Sequence, residues 1–129
     1  MNEPSDSTLP CLQDSLRDQF RQGIRLFNGA QFFEAHEALE DVWRGAPGPQ
    51  RKFLQGLIQI AVALHHHSKG NLVGCRSLLQ RGIRNLAPYP DLQFGLELAI
   101  FRDEVELWRK ALESEQPLPG LPSLRFSRR

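Results

Sequence analysis

The sequence predicts an all-α protein, a compact bundle of about five helices in which helices two and three pack together and helix three is central. Three observations carry that prediction. Apolar residues return every three or four positions over most of the 129 residues, the period of a helix with one buried face. Short breaks of Gly, Asn and Pro separate five such stretches, as connections between helices require. No stretch alternates apolar and polar residues convincingly, so nothing reads as a strand.

Residues 1–12 read as a disordered lead-in, 13–113 as one helical domain, and 114–129 as a Pro-rich extended tail. Helix one covers about 13–27, with Leu16, Phe20, Ile24 and Phe27 on one stripe, and Asn28-Gly29 ends it. Helix two covers about 30–44 and stops at Gly45-Ala46-Pro47-Gly48-Pro49. Helix three covers about 50–68. Leu54, Leu57, Ile58, Ala61, Leu64 and His65 make its broad apolar face, and Gln55, Gln59 and His66 line a narrow polar strip. Gly56 inside that helix costs about 1 kcal/mol against Ala, which predicts a close helix crossing there, with Gln55 bonding across it. Gly70 and Asn71 serve as C-terminal stop and N-cap. Helix four covers about 72–87, with Leu72, Cys75, Leu79, Ile83 and Leu86 on one side. After Pro88-Tyr89-Pro90, Asp91 caps helix five, whose seam is Phe94, Leu98, Phe101, Val105, Trp108 and Leu112. Helices two and four share a faint pattern forty residues apart (Phe32/Leu72, Ala35/Cys75, Leu39/Leu79, Trp43/Ile83), as two stacked helical hairpins would.

Composition narrows the function classes. Sixteen Lys and Arg face fifteen Asp and Glu, so charge gives no argument for nucleic acid, and a nucleic-acid role is not expected. Arg17, Arg21 and Arg25 form a row on helix one that pairs with nearby acids such as Asp14 and Asp18. The longest apolar run, Leu57 to Leu64, is too short to span a bilayer, so no membrane role is expected. Met1 to Pro10 lacks the pattern of a signal peptide. Two cysteines make no disulfide framework, and Cys75 sits on an apolar face as a reduced core residue. The expected location is the cytoplasm, with a plastid possible for a plant source.

The most informative stretch is Phe32 to Trp43. Phe32, Leu39 and Trp43 make an apolar stripe with His36 in its gap, flanked by Glu37 and Glu40. Glu40 lies one turn from His36 on the same face. If helices two and three pack together, His36, Glu40, Gln55 and His65 or His66 converge. Imidazole and carboxylate are first-shell ligands for zinc, manganese or iron, so His36, Glu40 and His65 are the candidate metal ligands. The spacing matches neither the Glu-x-x-His pairs of di-iron bundles nor the His-Glu-x-x-His of zinc proteases. Trp43 reads as a core residue, and His67 as a flank residue near solvent.

Phe27-Asn28-Gly29, then Phe32-Phe33-Glu34-Ala35-His36-Glu37, Leu39-Glu40 and Trp43, are followed by Leu54-Gln55-Gly56-Leu57-Ile58-Gln59, His65-His66 and Gly70-Asn71. The two motifs, in this order and spacing over about residues 16–87, resemble the uncharacterised bacterial, archaeal and plastid family known as domain of unknown function 309. The resemblance implies a compact helical bundle and implies no reaction. Which of His65, His66 and His67 matches the family position stays open.

Two functions follow. In the first, the cluster of His36, Glu37, Glu40, Trp43, Gln55, His65 and His66 is mainly structural, because buried His and Glu must be hydrogen-bonded, and the protein is an interaction module for a protein partner or a second copy of itself. In the second, the same cluster is the site of a metal- or small-ligand-dependent, hydrolase-like enzyme, with Glu37 or Glu40 as general base. The cofactor is unknown from sequence.

Overall fold

The computed structural model of the protein describes residues 14–128. The expected lead-in and Cys11 lie outside the described residues. Five helices dominate: α1 (Asp14–Asn28), α2 (Phe32–Gly45), α3 (Gly48–Ser68), α4 (Leu72–Leu86) and α5 (Leu98–Ser114), with a two-stranded hairpin, β1 (Leu92–Gln93) and β2 (Leu96–Glu97), before α5. α3 packs against both α2 and α4, so it is central as its apolar breadth requires.

Two short loops fold the first four helices into antiparallel hairpins. At the end of α1, Gln31 N donates to Leu26 O and Ala30 N to Phe27 O. At the end of α3, Asn71 N donates to His66 O and Gly70 N to His67 O. Both are Schellman closures, which need a left-handed residue just past the helix. Gly70 supplies it in one loop (φ +83°) and Ala30 in the other (φ +62°). Asn71 then caps α4, its side chain accepting from Gly74 N at 2.9 Å. The two loops lie forty residues apart, and the forty-residue pattern follows in burial. Ala35 and Cys75, and Leu39 and Leu79, are fully buried, and Trp43 and Ile83 both pack at the core's edge. Phe32 and Leu72 part company: the Phe27 ring covers Phe32 at 5.2 Å, while Leu72 is exposed at the end of the bundle.

The predicted close crossing exists. A Cβ on Gly56 would stand 2.8 Å from Leu86 Cδ2 and 3.2 Å from Gly82 O, and one on Gly82 would stand 3.1 Å from Gly56 O. Two glycines thus bring the α3 and α4 backbones together. The expected cross-helix amide bond comes from Gln59, not Gln55: Asn85 Nδ2 donates to Gln59 Oε1 at 2.7 Å, and Gln55 is exposed.

Helix five starts later than its seam suggested. Phe94 (φ +52°) and Gly95 (φ +78°) form the two-residue turn of the hairpin, the geometry that matches strand twist. Phe94 still joins the core, from the turn, with its ring 5.3 Å from Phe20 and 5.2 Å from Phe53. Asp91 caps α5 through its main-chain oxygen, which accepts from Leu98 N and Ala99 N. The rest of the seam, Leu98, Phe101, Val105, Trp108 and Leu112, is buried within the chain. It reaches both hairpins, Phe101 meeting Phe27 and Trp108 meeting His67. Arg102 occupies the open carbonyls at the end of α4, donating to Leu86 O and Tyr89 O.

Beyond Ser114 the chain runs without helix. Leu124 is nevertheless buried, and Phe126 forms a bridge with Leu96. Among the described residues no helix is long and apolar enough to cross a membrane.

Candidate functional site

The residues singled out by the sequence all lie on α2 and α3, which pack against each other, and the details differ from expectation. The buried stripe of α2 is Phe32, Ala35, Leu39 and Val42. His36 and Trp43 therefore border the core. The cause is one step of helical phase: with Ala35 and Val42 fully buried beside Leu39, His36 and Trp43 fall at the edge of the buried face. His36 keeps 19 % of its side chain exposed.

Two groups hold the His36 ring. Its Nδ1 lies 3.1 Å from Phe33 O and its Nε2 lies 3.4 Å from Glu40 Oε2. The ring thus lies between a main-chain carbonyl and a carboxylate, both acceptors. Glu40 also faces Arg44 at 3.9 Å, and Arg44 pairs with Asp41. Glu37 is exposed and outside this set.

One turn further along α2 opens a cleft of about 300 Å³, lined by Glu40, Trp43, Arg44, Gln55, Ile58 and Gln59. Its walls combine an indole, an isoleucine, two carboxamides and one charge of each sign. Trp43 is fixed from behind, with the Arg51 guanidinium 4.5 Å from its ring centre. Arg51 in turn donates to Ala46 O and Arg44 O, so the cation is tied to the end of α2. Trp43 Nε1 is buried without a hydrogen-bond partner among the described residues, an unusual state for an indole donor.

The histidines of α3 join a different set. Phe33, 47 % exposed, has its ring 5.3 Å from His36 and 5.4 Å from His65. The two imidazoles thus share an aromatic neighbour. His66 lies 6.2 Å from His65 and its Nδ1 is 3.4 Å from Asn71 Nδ2. His67 is half-buried against Trp108, 4.9 Å between ring centres. Among the described residues no three His, Cys, Asp or Glu side chains form a group able to hold a metal ion, and His36, Glu40 and His65 do not converge on one point. The spacing of four on α2 does bring His36 and Glu40 together; the α3 imidazole meets Phe33 instead. Cys75 is buried, and burial pushes its thiol up to about 11, so it stays protonated and unreactive near neutral pH.

Of the seven residues singled out, Glu40, Trp43 and Gln55 line the cleft, and His36 adjoins it through Glu40. Arg44, Ile58 and Gln59 were missed. Gln59 carried a signal, since it shares the polar strip of α3 with Gln55. Arg44 carried none that separates it from any surface arginine.

Two relatives with which the chain can be aligned are themselves uncharacterized. The uncharacterized protein YpuF of Bacillus subtilis (strain 168) is 45% identical over 56 residues, 43% of this chain and 32% of its own length. An uncharacterized protein of Aquifex aeolicus (strain VF5) is 32% identical over 81 residues, 62% of this chain and 24% of its own length. The matched stretch thus spans a third or less of these curated relatives. Residues 20–78, which carry most of α1, the whole of α2 and α3, and the cleft between them, match the family described as domain of unknown function (DUF309), as the two motifs indicated.

Proposed function

We propose that this chain works by binding, as an interaction module whose α2–α3 cleft receives a side chain or short segment of a protein partner. The observation that carries the reading is the lining of the cleft. Glu40, Arg44, Gln55 and Gln59 offer hydrogen bonds of both polarities around Trp43 and Ile58, the mixture of apolar wall and few directed polar groups by which pockets recognise ligands. Its volume is at the small end of ligand sites, which suits a side chain better than a cofactor. The His36–Glu40 contact supports the cleft by fixing one face of Glu40.

The experiment is site-specific photo-crosslinking in the cell of origin, with the reactive group at Gln55 and a control at Ser77 on the exposed side of α4. The expected result is a discrete adduct from position 55 that Arg44→Glu removes and position 77 does not give. An identical adduct pattern from both positions, or none from Gln55, overturns the reading. The hydrolase-like alternative rests on the 3.4 Å His36–Glu40 pair. It requires turnover of an ester or phosphoester that His36→Gln abolishes while helical content is kept.

A further inference from the structure

We infer that the surface formed by the C-terminal end of α1, the β1–β2 hairpin and α5 is a second binding site, a groove for an extended peptide, and that the chain's own tail fills it as a displaceable ligand. The occupant is that tail, with Leu124, Arg125 and Phe126 entering the groove in succession.

The tail is held the way a peptide ligand is held, mostly by its backbone. Asn28 at the end of α1 uses both atoms of its amide: Nδ2 donates to Leu124 O and Oδ1 accepts from Leu124 N, each at 2.8 Å. Glu97 N donates to Arg125 O and Ser127 N donates to Gly95 O, both at 2.8 Å. These flank the antiparallel bridge between Leu96 and Phe126. The tail therefore adds a third strand to the hairpin edge, the mode in which main-chain bonds give affinity and alternate side-chain slots give specificity. Trp108 Nε1 donates to Gly120 O at 3.0 Å.

The slots are specific. Leu124 inserts until it is 2 % exposed. Glu104 on α5 takes Ser123 N on one oxygen and the Arg125 guanidinium on the other, at 2.9 and 3.0 Å. Phe126 lies edge-on to Phe20, 6.4 Å between ring centres. Residues 115–121, which lead to this segment, are all exposed, so the strap is joined to α5 by a solvent-facing linker tied back by Trp108 at Gly120 O. Segments of that kind open at free energies below global unfolding.

The test uses the full chain and a fluorescein-labelled synthetic peptide of residues 117–129. In the unaltered protein the groove is occupied, and apparent affinity is reduced by the fraction of chains whose tail is open. Leu124→Asp in the protein unseats its own tail. The expected result is peptide binding to that variant at least about tenfold tighter than to the unaltered chain, lost when the peptide itself carries Leu124→Asp and weakened when the protein also carries Glu104→Gln. A helical Leu124→Asp variant that takes up no peptide, or binds it no better than the unaltered chain, overturns the inference. If the variant loses its helical circular dichroism, hydrogen exchange on the unaltered chain decides. Exchange of the Leu124 and Ser127 amides through a local opening, faster than the α3 amides, is expected. Exchange at the α3 rate overturns it.

Discussion

Among the described residues three other than glycine have a left-handed backbone, Ala30, Phe94 and Glu115, and each closes a turn. Ala30 and Glu115 take the position past a helix where glycine is usual, and a Cβ there costs roughly 1 kcal/mol. Ala30→Gly is therefore expected to stabilise the protein by up to about 0.5 kcal/mol, after the extra entropy of glycine in the unfolded chain, read as a higher urea midpoint at unchanged slope. Phe94→Gly relieves the same strain but deletes the ring seated between Phe20 and Phe53, and a net loss of about 2–4 kcal/mol is expected in the same titration. At this scale the sequence was legible for spacing and not for phase. His36 and Glu40 were rightly paired by a separation of four. Whether His36 or Ala35 faces the core depends on which neighbours the helix packs against, and Ala35 and Val42 are apolar without standing out in the pattern. The glycine at 29 was equally misleading, because the left-handed position is Ala30, one step on.

Packing between elements is most exacting where α3 crosses α4. A methyl on Gly82 would meet Ile60 Cδ1 at 2.5 Å and the Gly56 carbonyl at 3.1 Å. Side chains can swing away and backbone cannot, so Gly82→Ala is expected to destabilise by about 1–3 kcal/mol despite its better helix propensity, measured by thermal unfolding. Within α5, Arg109 pairs with Glu106 at 2.6 Å and Glu113 at 3.1 Å. The hydrogen bond from Arg109 holds the Glu106 carboxyl below the usual carboxylate range. A carboxyl that ionises more easily when folded stabilises the fold above its unfolded value, near 4.3, and this contribution disappears as pH falls through the folded value. Glu106→Gln should then lower stability at pH 7 by a few tenths of a kcal/mol, the scale of a partly exposed pair, with the difference shrinking as pH falls below the usual carboxylate range in denaturant titrations. The five helices were visible in the sequence because each carries a long periodic stripe. The hairpin was not, since two-residue strands are too short to show alternation, and Phe94 fits the α5 stripe by number while belonging to a turn.

For the whole molecule the tail decides how the parts close. Helices α1 and α5 meet residues far from them in sequence through Asn28, Glu104 and Trp108. Asn28→Ala removes two hydrogen bonds to a part-buried strand and leaves the Leu124 amide unserved, an expected cost of about 1–3 kcal/mol, visible as a lower unfolding temperature. Nothing in residues 114–129 announced this role, because proline-rich sequence reports what cannot become helix and says nothing of what the backbone bonds to. The candidate site was legible in part for the opposite reason: Glu40, Trp43, Gln55, Ile58 and Gln59 all lie in the two motifs, though only the first three were singled out, whereas Arg44 becomes part of the cleft only when α3 lies beside it. Cys75, buried in the core from α4, has a further use. A thiol that is fully buried and held near 11 reacts with a disulfide reagent only after the core around it opens. In a Cys11→Ser background its labelling rate times that opening directly, so the molecule contains a clock for its own opening against which any ligand of either site can be timed.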